Sequence, residues 1–282
     1  QFMNAIWLLI GSLLVVSFVS FSTIIGQERS FFAGYCVLRA SGFNLDANWF
    51  AMTIVGVFPL IFLMYKMEKS RVIKLLLLGI IPILMLSIAL TYSRGGFVAF
   101  SLVLLLLCFK GRRETALPFF ITGGVVVVLA SVLSPVIIGR YETIKFITTS
   151  FMKYDPSFLA RFISTKEAIR IFFSSPLTGV GLGNYLERAG FLLNYKLVVH
   201  SSQLLLLAET GIIGFVLYYF IFFRTLGQLR RIGLDGRYLI ISLIGVMIAA
   251  TFLPVPFRAE ILVILGLSKV YTNIYNENIS NR

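Results

Sequence analysis

Charge, histidine and cysteine are all scarce in this chain. Charged residues make up 13% of its 282 residues, where soluble domains carry roughly a quarter. An ordinary soluble globular domain is thereby excluded. A single histidine leaves no room for a His-rich metal site. The two cysteines, Cys36 and Cys108, form no CxxC motif and lie too far apart in kind and context to read as a disulfide. The twelve acidic residues are scattered and build no dense carboxylate cluster. Neither a metal nor a cofactor is expected.

What the chain has instead is apolar length. Hydrophobic residues reach 58%, with a mean hydropathy of +0.93, and several runs approach the roughly 20 residues that one bilayer crossing needs. Candidate spans lie near 2–25, 47–65, 72–91, 97–109, 115–138, 201–223, 238–253 and 259–272. The first begins at Phe2 without a basic flank and ends without a small-residue cleavage pattern, so it reads as a span and not as a signal peptide. The chain opens on Gln1 instead of Met, which reads either as a fragment with helices missing upstream or as a trimmed or shortened form. The fold class is all-α: a polytopic transmembrane helix bundle with an outer-face, partly helical cap. Residues 1–138 hold about five spans, 139–199 form the cap, 200–272 hold about three spans and 273–282 are a cytoplasmic tail.

The net charge of +13 would point to nucleic acid in a soluble protein. Here the cations sit in short connections, as orientation signals and contacts with membrane lipids, and no nucleic-acid partner is expected. Three connections are basic: "KMEKSRVIK" at 66–74, "KGRRE" at 110–114, and the segment from Arg224 to Arg237, with four arginines against Asp235. All three fall on one side if every run crosses once, and the positive-inside bias makes that side cytoplasmic. Segments 26–46, 91–96, 139–199 and 254–258 then face outward. The 139–199 segment has eight basic and four acidic residues, but long loops follow the bias weakly. Within it, "FLARFISTKEAIRIFF" at 158–173 predicts an amphipathic helix lying along the interface or over the bundle, with Phe158, Phe162, Ile169, Ile171 and Phe173 as its apolar side. "SSPLTGVGLGNY" at 174–185 breaks that helix into a tight turn.

Four outward features carry candidate chemistry. Arg94, in "TYSRGG", either anchors a helix end or presents a guanidinium fork to phosphate. Arg140 and Arg161 are either solvated loop charges or further cations able to stabilise a diphosphate leaving group. Gly179, Gly181 and Gly183 do not form a clean GxGxxG, so a nucleotide fold is a poor reading; a turn carrying backbone N–H groups fits better. His200, followed by Ser201, Ser202 and Gln203, is either a hydrogen-bonded helix cap or a base working near its unperturbed pKa of about 6.5. Glu209 lies inside an apolar run, where a carboxylate is costly unless paired; it either salt-bridges an arginine, the favoured reading, or caps a polar pocket, or is catalytic. Arg258 and Glu260 make a second outer-rim pair.

Taken in order, "LDANWFA" at 45–51 with its N-x-x-A core, "TYSRGGFVAF", the long outer segment, "SPLTGVGLGNY" and "HSSQLLLLAETGIIG" resemble the O-antigen ligase and polysaccharide polymerase superfamily of bacterial envelope glycosyltransferases. The resemblance covers most of the chain from about Arg39 onward. Family members usually have more spans. They also commonly carry Asn directly after the histidine, where this chain has Ser201, a residue that can cap the helix start. The resemblance implies a multi-pass plasma-membrane enzyme whose site faces the periplasm or exterior. Its donor would be an undecaprenyl-diphosphate-linked glycan, and its acceptor a lipid core, a glycan or a protein. Arg94 and Arg161, with Arg140 more weakly, would hold the diphosphate, and His200 would activate the acceptor hydroxyl. The glycine turn, Ser201, Glu209 and Arg258 would support them. Repeat-unit polymerisation is an alternative within the family, and transport of a lipid-linked or anionic substrate is an alternative outside it.

Overall fold

The computed structural model describes residues 1–26, 31–32, 35–36, 40–41, 46–91, 93–110, 156–193, 198–233, 236–254 and 256–281. They are almost wholly helical. In chain order the helices are α1 (Phe2–Gly26), α2 (Ala47–Met67), α3 (Arg71–Leu90), α4 (Arg94–Lys110), α5 (Pro156–Ser174), α6 (Tyr185–Leu193), α7 (Ser202–Arg231), α8 (Arg237–Ala249) and α9 (Ala259–Ser280). Between α1 and α2, Phe31–Phe32 and Tyr35–Cys36 make a two-residue antiparallel pairing. The span expected at 115–138 lies outside the described residues.

Among the described residues four helices, α1, α2, α3 and α7, are long and apolar enough to cross a membrane, and α4 and α8 are shorter apolar helices. The protein is a polytopic transmembrane helix bundle. Ends differ from the apolar runs where caps decide them. α4 starts at Arg94, not 97, because Ser93 caps it, and α9 continues past 272 to Ser280. α7 likewise continues through Arg224 and Arg230 and ends at Arg231, followed by Gly233 at φ 74°. Charge marks where lipid ends, whereas a left-handed glycine marks where a helix ends.

The described residues fall into two compact units, the first within 1–126, 222–249 and 257–282, the second within 127–221 and 250–256. In the first, α2 is packed by α1, α3, α4, α8 and α9. Glycines let these helices close. A Cβ on Gly56 would stand 2.6 Å from Ile264 and 2.7 Å from Val246, and one on Gly245 would stand 2.6 Å from Val103. Small residues serve helix contacts in lipid this way, because burial from water gives no drive there.

The second unit is built on α5, α6 and the first half of α7. Ala168, Ile171, Tyr185, Ala189, Val199 and Ala208 form its core. The buried stripe of α5 is Ser164, Glu167, Ala168 and Ile171, spaced three, four and seven residues apart. Phe162, Ile169 and Phe173, on the apolar side of this helix, are exposed. Only Ile171 of the expected apolar set packs inward, and the side chain of Phe158 is not among those described. Small and polar residues face protein here, and large apolar ones face out.

Candidate functional site

In the first unit the site begins at the N-terminal turn of α2. Asp46 caps this helix: its Oδ1 accepts the Asn48 backbone N–H at 2.7 Å and the Asn48 Nδ2 donor at 3.0 Å. The oriented amide then accepts the Ser93 hydroxyl at 2.8 Å through its Oδ1. Ser93 Oγ in turn accepts the Gly96 N–H at 3.1 Å and so caps α4, whose first residue is Arg94. Three residues on from Asn48, Ala51 takes the space beside Gly96, where a Cβ would meet its own at 2.4 Å. The N-x-x-A and S-R-G-G stretches are thus two halves of one contact, and Arg94, exposed, stands at its edge. Asn48→Ala removes the acceptor of a buried hydroxyl and is expected to cost about 1–2 kcal/mol. Ser93→Ala is expected to cost about 1 kcal/mol as a lost cap. A double-mutant cycle read by unfolding in detergent should give a coupling above about 0.5 kcal/mol; additivity would mean that the contact is incidental.

Beside Asn48, the Trp49 ring lies under Arg258, whose guanidinium carbon is 4.2 Å from the ring centroid. Arg258 also pairs with Glu260, Nε to Oε2 at 3.1 Å and Nη2 to Oε1 at 3.3 Å. Thr53 Oγ1 donates to Glu260 Oε1 at 3.1 Å. The expected rim pair is therefore present, its guanidinium held by a carboxylate and an aromatic face.

In the second unit the glycine turn and α7 hold each other. α7 is interrupted at Gly211, with φ 62° and ψ −167°. The break strips partners from two carbonyls before it and two N–H groups after it, which within a bilayer must be satisfied by protein. The turn supplies all four. Val180 N–H donates to the Ala208 carbonyl at 3.0 Å and Gly181 N–H to that of Glu209 at 2.8 Å. In return the Pro176 and Leu177 carbonyls accept from Ile212 at 2.8 Å and Ile213 at 3.3 Å. The backbones approach so closely that a Cβ on Gly179 would stand 2.3 Å from the Glu209 carbonyl carbon, and one on Gly211 would stand 2.3 Å from the Leu177 oxygen. The expected turn of N–H groups exists, but its donors at 180 and 181 are spent on α7 and are closed to a ligand. Gly183, at φ 80°, only turns the chain, with open space around it.

Glu209 departs from expectation. Among the described residues its carboxylate has no arginine; Oε1 accepts the Tyr185 backbone N–H at 3.3 Å, at the start of α6. The carboxylate thus caps a helix whose positive end stabilises it. Above it the Tyr185 hydroxyl donates to the Ser164 carbonyl at 3.0 Å. Burial, then the nearby Glu167 carboxylate, push that hydroxyl up to about 12. Because a glutamine oxygen can accept the same N–H, Glu209→Gln should fold normally, while Glu209→Ala should lose about 1 kcal/mol. Parallel melting curves of the two variants check this, and an equal loss in both would restore a charge partner.

His200 is half-buried and directly precedes the cap of α7. The cap itself is Ser201, whose Oγ accepts the Leu204 N–H at 3.4 Å and donates to Gln203 Oε1 at 3.2 Å. Ser202 ties the same turn to the Leu253 carbonyl at 2.5 Å. Val199, fully buried in the core, fixes the chain on the other side of the imidazole. Arg161 is exposed on α5 in the same unit, Arg94 belongs to the first unit, and Arg140 lies outside the described residues. Among the described residues no three His, Cys, Asp or Glu side chains are placed to hold a metal ion.

Two contributors are faint in the sequence. Gly211 is an isolated glycine inside an apolar run, a weak sign of interruption, and Asn48 has meaning only beside Ser93. No curated protein matches the chain. A family model described as O-antigen ligase matches residues 79–219, half of its length. That segment contains Arg94, Arg161, the glycine turn, His200 and Gly211, so the interlocked turn and helix are the part that the family description covers, and the chain belongs to the O-antigen ligase family.

Proposed function

We propose that this family member transfers a glycan from undecaprenyl diphosphate to an acceptor hydroxyl on the outer face of the plasma membrane. One observation carries the reading. The helix start that follows His200 is fixed by Ser201, Ser202 and the buried Val199, so the imidazole is not needed as its cap. A titratable ring held half-buried at the mouth of an apolar helix suits a base working near neutral pH.

In the proposed reaction the acceptor oxygen attacks the anomeric carbon from the side opposite the diphosphate. A C–O bond forms as the bond from that carbon to the diphosphate oxygen breaks, with inversion and no covalent enzyme intermediate. His200 takes the hydroxyl proton, and the leaving diphosphate carries the electron pair. Arg94 and Arg161, with Arg140, offset its growing charge, which needs no metal. The basic connections at 66–74, 110–114 and 224–237 support a cytoplasmic side opposite this site. The acceptor is a lipid core, a growing glycan or a protein.

The interruption of α7 is the feature a transport reading would use, because half-helix ends can hold ions in transporters. Here both ends are bonded to residues 176–181, which favours a structural use of the break. The test is transfer by the purified full chain in liposomes, given undecaprenyl-diphosphate-linked glycan and a panel of acceptors. The expected result is a new glycosidic bond of inverted configuration with one undecaprenyl diphosphate released per bond. Lengthening of the lipid-linked glycan itself would make it a polymerase. Retained configuration, or movement of intact donor across the bilayer without transfer, would overturn the proposal.

A further inference from the structure

α5 is amphipathic in the reverse of the soluble sense. Phe162, Ile169 and Phe173 are 53%, 42% and 72% exposed, and at 100° per residue they fall within about 40° of one another on the helix surface. Lys166 lies in the same stripe and Arg170 along its flank, both exposed. The acidic residue of this helix, Glu167, is buried on the opposite side. The outward face therefore combines bulky apolar groups with positive charge and no negative charge, and among the described residues nothing covers it.

The neighbouring chain says what does. Leu177, 63% exposed, follows directly in the turn, and its carbonyl accepts the Ile213 N–H of α7. Ile212, Ile213 and Val216 are exposed there, on a helix long and apolar enough to cross the membrane. The apolar surface of a spanning helix thus continues through Leu177 toward the Phe173 end of α5.

We propose that this face of α5 rests in the headgroup region of an anionic lipid leaflet, with Phe162, Ile169 and Phe173 at the acyl boundary and Lys166 and Arg170 on lipid phosphates. α5 is then an interfacial helix. The charge pattern selects an anionic bilayer over another protein, since basic side chains flanking a bulky apolar stripe match the layered chemistry of such a surface. This assignment does not depend on the transfer reaction proposed above.

The test places single nitroxide labels at 162, 165, 166, 169, 172 and 173 of the full chain, in a Cys36→Ser, Cys108→Ala background. The protein is held in nanodiscs of phosphatidylglycerol or of phosphatidylcholine, and collision with oxygen is compared with collision with a water-soluble nickel chelate. Oxygen should exceed nickel severalfold at 162, 169 and 173 and fall at 165 and 172, with a helical period. Lys166→Gln with Arg170→Gln should raise nickel access at 162 and 169 at least twofold in phosphatidylglycerol and leave it unchanged in phosphatidylcholine. Nickel in excess at every position would make α5 an aqueous cap. Low access to both reagents would mean a protein covers the face. Identical behaviour in the two lipids would remove the anionic partner. Each of these three results overturns the proposal.

Discussion

His200→Ala is expected to lower glycan transfer by on the order of 10²–10⁴-fold, the range for loss of a general base, while leaving the unfolding temperature within a few degrees. The two halves of that expectation come from different parts of the structure. The loss follows from the proposed role of the imidazole as proton acceptor. The preserved stability follows from Ser201 Oγ, which caps α7, from Ser202, bonded to the Leu253 carbonyl, and from Val199 in the core. None of these contacts passes through the ring. Purified wild-type and variant would be compared in liposomes at several pH values. Wild-type transfer should fall as pH drops through the imidazole range, because protonation removes the base; the residual activity of the variant should lack that inflection. A variant as active as wild type would end the mechanism while leaving family membership intact. A variant that is both inactive and unfolded would move His200 to a structural role, and the pH profile of the wild type would then decide.

The spanning helices were legible because length and hydropathy decide them almost alone: an apolar run such as 47–65 has few places to go but across a bilayer. Packing faces were harder. Phe162, Ile169 and Phe173 are legible as one apolar side of a helix, but not whether that side meets the interface or the bundle; Ser164, Glu167, Ala168 and Ile171 are the buried set. Once lipid is the solvent, large apolar groups gain little by facing protein, and small or hydrogen-bonding groups take the interface. Charges misled in a related way. Glu209 invites a search for an arginine, but its partner is a backbone N–H at the start of α6, and sequence does not display backbone donors. The Arg258–Glu260 pair was readable because both ends are side chains two residues apart. At the candidate site the individual letters were visible and their couplings were not. Asn48 and Ser93 are 45 positions apart, and neither hydroxyl nor amide announces the other. His200 stood out by being alone, whereas the glycines stood out without disclosing which ones matter.

Of the glycines, 179 and 211 should matter most, and by a mechanism that glycine counting alone would miss. Gly211→Ala meets two obstacles at once. Its φ of 62° with ψ of −167° lies in a region reserved almost wholly for glycine, at a cost of about 1–3 kcal/mol for other residues. Its new Cβ would also stand 2.3 Å from the Leu177 carbonyl oxygen, a backbone atom that can move only if the turn retreats. Retreat breaks the four hydrogen bonds from 176, 177, 180 and 181 to α7, each contributing about 1 kcal/mol net and more where water is absent. A total loss above about 4 kcal/mol is expected, diagnostic for a single substitution. Gly179→Ala, with its Cβ 2.3 Å from the Glu209 carbonyl carbon, should fail the same way. Gly183→Ala shares the positive φ, at 80°, but meets nothing within 4 Å, so it should cost only about 1–2 kcal/mol. Amide exchange in detergent offers the sharpest reading, since Val180, Gly181, Ile212 and Ile213 should lose protection together in the first two variants and keep it in the third. The double variant at 179 and 211 should be less damaging than the sum of the singles, because a turn that has already retreated from one Cβ no longer meets the other. Strict additivity would show two separate strains instead of one shared contact, and equal effects at 183 and 211 would show that backbone angle alone, without the close approach, sets the need for glycine.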